Sequence, residues 1–294
     1  MGSDPFRLRK AVIPVAGLGT RMLPATKAIP KELVPVAGKP SVQWVVEAAV
    51  ASGIEEIIFV TAAGKSAIED HFRPAPELER ILEERGKIEL LDAVRSASKL
   101  VRVSSVRQDE PLGLGHAVLM AREVVGDEPF AVILPDELIH GAVGALAQCL
   151  DAFTVNAGAD AVIGLVRVPT SELHRYGIVA VDPVDDRTVV IHDMVEKPRA
   201  ADAPSDLAIT GPYVLPPEIF DDLARIPRGA IGEIQLTDAL IALCKRRRVI
   251  GRLIEGERLD TGHLLGFLKA NVVMGLEDPQ VGEALREWLR GRMG

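Results

Sequence analysis

The chain has 294 residues, 48% of them hydrophobic and 26% charged, a balance that buries a sizeable core and excludes a disordered protein. Its 34 Lys and Arg against 42 Asp and Glu leave a formal net charge of −8, which argues against nucleic-acid binding because that needs a broad basic face. Cys149 and Cys244 lack metal-ligand spacing and read as buried reduced thiols, no run reaches the ~18 apolar residues of a membrane span, and Met1–Phe6 carries no leader pattern, so a cytoplasmic protein without a membrane partner is expected.

The first apolar run, Ala11–Ala16, reads as a strand that breaks into Gly17-Leu-Gly19. A loop follows with Arg21, Lys27 and Lys31, punctuated by Pro24, Pro30 and Pro35, and only Glu32 offsets its cations before Lys39. Glycines let backbone N–H groups approach an anion and fixed cations neutralise it, so this loop reads as a polyphosphate cradle. A dinucleotide fingerprint fails because Met22 holds the third glycine position and no carboxylate closes a second strand about 20 residues on. A Walker A loop fails because no Gly-Lys-Ser/Thr follows.

Further along, the pattern predicts a helix over Ser41–Ala51, a strand over Glu56–Thr61, a helix over Lys65–Phe72 and a helical excursion over Glu77–Leu91. A strand at Val101–Val106, a helix at Leu114–Val125 and a strand at Phe130–Pro135 complete the first half. Fully apolar stretches such as Ala131–Leu134 suit a parallel sheet covered on both faces. The fold class is therefore α/β: a doubly wound, mostly parallel, Rossmann-like mixed sheet with C-terminal helices. Asp136 ends such a strand, at the sheet edge where open α/β folds bind ligands, and a carboxylate beside a polyphosphate loop is placed to hold Mg2+.

The rhythm then changes. Ala159–Val168, Gly177–Val181, Val189–Val195 and Ala208–Leu215 read as strands with few helices between, which extends the sheet with an antiparallel portion. Helices return at Pro217–Ala224, Glu233–Lys245, His263–Met274 and Pro279–Arg290, and Ala200–Ser205 reads as a loop. Lys245-Arg-Arg-Arg248 reads as cations closing a helix C-terminus rather than a nucleic-acid patch. Successive strand residues point to opposite faces, so Glu196 and Lys197 would enter one pocket only through a kink, which Pro198 favours.

Ala16-Gly-Leu-Gly-Thr-Arg-Met-Leu-Pro-Ala-Thr-Lys-Ala-Ile-Pro-Lys-Glu-Leu33 closely resembles the signature of sugar-1-phosphate nucleotidylyltransferases. The resemblance recurs, in order, at Val106-Arg-Gln108, Gly113-Leu-Gly-His-Ala117, Val132-Ile-Leu-Pro-Asp136, Tyr176-Gly177, Val195-Glu-Lys-Pro198 and Gly232-Glu-Ile-Gln-Leu-Thr-Asp238. It implies transfer of a nucleotide from UTP to glucose 1-phosphate, giving UDP-glucose and pyrophosphate. A thymidylyltransferase, another sugar 1-phosphate, or a catalytically weak sugar-nucleotide-binding regulator are the alternatives; a dehydrogenase rests only on Gly-x-Gly.

By resemblance, Ala16, Gly17, Gly19 and Thr20 hold the nucleotide phosphates, while Arg21 and Lys31 face the reacting phosphorus. Gln108 and Gly113 take the uracil, and Gly177, Glu196 and Lys197 take the sugar and its phosphate. Asp136 and Asp260 hold Mg2+, with Glu137 left open where relatives carry a second aspartate. Gly38 and Pro212 depart from the usual pattern, and His116 reads as orienting the glycine turn. The expected organisation is a catalytic domain over 8–262 and a C-terminal helical segment over 263–294, on the core or on another subunit of a homodimer or homotetramer.

Overall fold

Val12 points to one face of its strand and Ala11 and Ile13 to the other, and all three are completely buried. The computed structural model describes residues 7–229 and 232–293. Nine strands form one sheet in the order Arg102–Arg107, Glu56–Thr61, Lys10–Pro14, Phe130–Val132, Leu207–Leu215, Ala161–Arg167, Val249–Leu253, Thr188–Glu196 and Gly177–Pro183. All but Leu207–Leu215 and Thr188–Glu196 run the same way.

Helices cover both faces, as near-continuous apolar strands require. On one side Leu114–Met120, Ile219–Arg225 and Leu236–Cys244 cover a layer that includes Val12, Ile58 and Val132, with Phe130 and Phe220 stacked at 4.8 Å. On the other, Ser41–Ala51 and Ala145–Val155 cover Ala11, Ile13, Ile57 and Phe59, joined by Ala270 of the Leu264–Glu277 helix. The far half of the sheet rolls over on itself: Gly177–Pro183 pairs with Thr188–Glu196 and also with Leu207–Leu215, through Ile178 and Ala208. This returns Gly177 and Glu196, which are paired in register, to the edge where the Phe130–Val132 strand ends.

Several boundaries differ from the sequence reading for local reasons. The excursion is two helices, Pro76–Glu84 and Ile88–Lys99, because Gly86 takes a left-handed φ of 65° between them. The Leu114–Val125 helix is broken at Ala121 into Leu114–Met120 and Arg122–Val125. The Phe130–Val132 strand stops before Pro135, which has no N–H to continue a ladder. Ala200–Asp202 is a 3-10 turn rather than open loop. Cys149 is buried as expected, but Cys244 is only half-buried. Among the described residues no helix is long and apolar enough to cross a membrane.

Candidate active site

The glycine loop leaves the Lys10–Pro14 strand at the C-terminal edge of the parallel strands and runs through three 3-10 turns, Thr20–Met22, Ala25–Lys27 and Lys31–Leu33. Gly19 begins the first turn with φ 66°, and the Thr26 hydroxyl donates to its carbonyl at 2.7 Å. Gly17 has no left-handed φ, and a Cβ there would meet nothing within 4 Å. Neither a left-handed φ nor packing demands a glycine at 17, so the space beside its Cα is open. Glu32 does not offset Lys31 as the sequence suggests. It is 1% exposed and pairs with Lys65 from the next strand's exit loop.

Lys31 turns the other way. Its Nζ lies 2.5 Å from Asp136 Oδ2, and Arg21 Nη2 lies 3.9 Å from the same oxygen. Burial works against a charge on Asp136, but Lys31 and then Arg21 hold its carboxyl below the usual carboxylate range. Asp260 arrives beside it through a two-stranded ladder in which Glu137–His140 pairs with Glu257–Asp260, setting Glu137 opposite Asp260. The turn after this ladder is stitched to Asp136, since the Thr261 N–H donates to the Asp136 carbonyl at 2.9 Å.

A methyl group added at Gly262 would lie 2.7 Å from Asp136 Oδ2, 3.0 Å from Asp260 Oδ1 and 3.1 Å from Arg21 Nη2. Both carboxylates therefore converge on one small space that only a glycine leaves open. Among the described residues no third His, Cys, Asp or Glu completes a metal cluster. Two carboxylates fit Mg2+, which takes one or two and fills its octahedron with water and substrate phosphate oxygens. Glu137 is otherwise engaged: Arg258 donates to both its oxygens at 2.5 and 2.6 Å. Burial pushes the Glu137 carboxyl up to about 7 against the pull of that guanidinium. Arg258 also donates to the Tyr176 hydroxyl at 2.9 Å, tying the carboxylate wall to Tyr176-Gly177.

Glu196 closes the opposite side. Lys197 has a left-handed φ of 48°, so the kink that Pro198 favours is present, and the two side chains come within 3.5 Å instead of pointing apart. The Thr237 hydroxyl donates to Glu196 Oε2 at 2.7 Å, and a Cβ on Gly177 would sit 3.1 Å from that oxygen. The buried Tyr213 phenol has its pKa raised by burial, then by the carboxylates of Glu196 and Glu137.

Gln108 follows the Arg102–Arg107 strand, and its N–H donates to the Thr61 carbonyl at 2.8 Å. Its side-chain amide donates to the Gly113 carbonyl at 3.2 Å and meets His116 Nδ1 at 2.9 Å. His116 thus orients Gln108 directly. Gly113 has φ 93°, and a Cβ there would meet Glu233 Cβ at 2.9 Å, so the turn packs on the segment before the Leu236–Cys244 helix.

Arg21, Lys31, Asp136 and Asp260 thus form one cluster, Gly177, Glu196 and Lys197 a second, and Gln108 with Gly113 a third. Sequence reasoning missed Lys65, Arg258 and Thr237. Only Thr237 carried a signal, through its motif; the others act over 33 and 121 residues of separation. A cavity of about 460 Å³ among Trp44, Leu138, Leu146, Pro212 and Met274 contains none of the clustered cations or aspartates. The site is the open sheet edge.

The nucleotidyl transferase family matches residues 10–275. The UTP–glucose-1-phosphate uridylyltransferase of Bacillus subtilis strain 168 is 48% identical, covering 97% of each chain. A UDP-glucose pyrophosphorylase from Acinetobacter baumannii superposes with TM-score 0.89 at 42% identity, covering 97% of this chain and 99% of that one. A UTP-bound structure from the same organism superposes with TM-score 0.88 at 40% identity, covering 96% and 99%.

Proposed function

The chain belongs to the nucleotidyl transferase family, and from that membership we propose that it converts UTP and glucose 1-phosphate to UDP-glucose and pyrophosphate. The observation that carries this reading is the convergence of Lys31, Arg21, Asp136 and Asp260 on the space above Gly262, beside a loop whose Gly17 is open to a ligand.

An oxygen of the sugar phosphate attacks the α-phosphorus of UTP. The bond from that phosphorus to the bridging oxygen breaks, and pyrophosphate leaves with the electron pair. The nucleophile is already anionic, so no general base is needed; the work is to align two polyanions and neutralise charge as it moves. Ala16, Gly17, Gly19 and Thr20 hold the triphosphate, and Arg21 and Lys31 neutralise the α-phosphate and the leaving group. Asp136 and Asp260 would hold Mg2+, which when bound neutralises phosphate oxygens. Lys31 would then exchange its contact with Asp136 for one with phosphate.

Lys197 anchors the sugar phosphate beside Gly177. Glu196, fixed by Thr237, accepts from sugar hydroxyls, so a substrate lacking one forfeits a hydrogen bond to a carboxylate. Gln108 presents its amide to the uracil edge, with Gly113 beneath the base. The catalytic domain spans 8–262 in a cytoplasmic protein. The helical segment 263–294 exposes Leu264, Leu265 and Leu268 for a second copy in a homodimer or homotetramer.

Pyrophosphate release with UTP, dTTP, CTP and GTP, each against glucose, galactose and N-acetylglucosamine 1-phosphate, tests the substrate pair. The highest rate is expected for UTP with glucose 1-phosphate and Mg2+, and a faster alternative pair would overturn it. Light scattering that returned the mass of one chain would remove the oligomer.

A further inference from the structure

Lys65 takes no part in the reaction described above, yet its ammonium is placed directly beneath the glycine loop. It is 9% exposed, donates to the carbonyls of Val15 and Gly17, the latter at 2.5 Å, and reaches both carboxylate oxygens of Glu32 at 3.0 and 3.2 Å. A trans peptide plane points its N–H opposite to its C=O. With the carbonyls of 15 and 17 turned down onto Lys65, the N–H groups of Ala16 and Leu18 point away from it, to the loop's other side. Neither N–H bonds to another group among the described residues. Between them sits Gly17, the glycine whose missing Cβ nothing in the chain requires.

The same ammonium acts on the second arm of the loop. Lys31 and Glu32 share one 3-10 turn, with Glu32 directed inward to Lys65 and Lys31 outward to Asp136. Fixing Glu32 fixes the turn that aims Lys31.

We propose that Lys65 is a positioning residue for nucleotide binding: it orients two peptide planes so that the N–H groups of Ala16 and Leu18 face the triphosphate, and through Glu32 it holds Lys31 at the reacting centre. This rests on the nucleotidyl-transfer reading, in which the loop binds UTP.

Calorimetry with UTP and Mg2+, without sugar phosphate so that no turnover occurs, separates the two arms when paired with steady-state rates. Lys65→Met, checked for folding by circular dichroism, is expected to weaken UTP binding by about tenfold or more. Glu32→Gln keeps the bonds to the loop carbonyls. It should weaken UTP binding by no more than about threefold, while lowering kcat for pyrophosphate release by about tenfold. The double variant should bind UTP as poorly as Lys65→Met. If Lys65→Met does not fold, Lys65→Gln, which keeps a donor, should weaken binding by about three- to tenfold and carries the same test. Binding within twofold of wild type in the folded Lys65 variant would overturn the proposal. So would wild-type affinity in the double variant, since the pair would then only balance charge. A wild-type chain that bound no UTP would instead overturn the functional reading.

Discussion

Lys31 and Glu32 are adjacent in sequence and opposite in charge, yet they do not neutralise each other. Glu32 goes into the protein to Lys65 and Lys31 goes out to Asp136, so the loop keeps the positive charge a polyphosphate needs. Lys31→Ala or Asp136→Ala should each lower kcat by on the order of 10²–10³, because the first removes a cation placed where negative charge develops and the second a carboxylate that would hold Mg2+ there. Pyrophosphate release at saturating UTP and Mg2+ measures it. Thr237 shows a milder dependence, holding one oxygen of Glu196 through a single bond of 2.7 Å. Thr237→Val should raise the KM for glucose 1-phosphate by roughly five- to tenfold, the worth of one hydrogen bond of about 1–1.4 kcal/mol, with the UTP KM unchanged. These roles were partly legible. The Lys31 motif and the Glu196-Lys197 kink followed from residue types and a proline, whereas Lys65 and Arg258 act on partners distant in sequence.

At the scale of elements, packing decides how closely the site's segments approach. Gly115, in the first turn of the Leu114–Met120 helix, would carry a Cβ 2.7 Å from the Ile234 carbonyl oxygen and 2.9 Å from the Gln235 carbonyl carbon. Both are backbone atoms and cannot swing aside, so Gly115→Ala should cost about 1–3 kcal/mol, read as a lower thermal midpoint. The Ser66–His71 helix meets Ser41–Ala51 through His71, whose Nε2 lies 2.8 Å from Gln43 Oε1. Burial lowers the His71 pKa, so the folded chain keeps the ring neutral where the unfolded chain already takes a proton. That contribution is fully present above the ordinary value of 6.5 and is lost as pH falls from there through the folded value. Urea midpoints of the wild type should therefore fall more steeply below that pH than those of His71→Gln.

Element type was legible wherever apolar periodicity was strong: Ser41–Ala51 and Glu56–Thr61 match residue for residue. The sequence pattern sets no bounds for the Ala145–Val155 helix. The Val249–Leu253 strand was missed, because five residues that follow three arginines and contain Gly251 and Arg252 carry little period.

Across the whole molecule, the sheet separates two apolar layers, and Cys149 lies in one of them, completely buried near the Pro212 carbonyl. Burial pushes its thiol up to about 12, so it is neither accessible nor ionised in the native state. Cys149 should label with a thiol reagent only at the rate of global opening, while the half-buried Cys244 labels faster, as mass spectrometry over time would show. The doubly wound class was determined by sequence alone, because strand burial leaves a local signature of residue type, and the glycine loop with its cations was legible there as a candidate phosphate cradle. The family resemblance joined that cradle to Asp136, Glu196 and Asp260 as parts of one site. Only the tertiary structure decided how those parts meet. The ladder of Glu137 against Asp260 joins the two aspartates, and the pairing of Ile178 with Ala208 returns Gly177 and Glu196 to the strand that borders Phe130–Val132. Strand pairing joins residues as far apart in sequence as Glu137 and Asp260, and no local periodicity encodes which edge meets which.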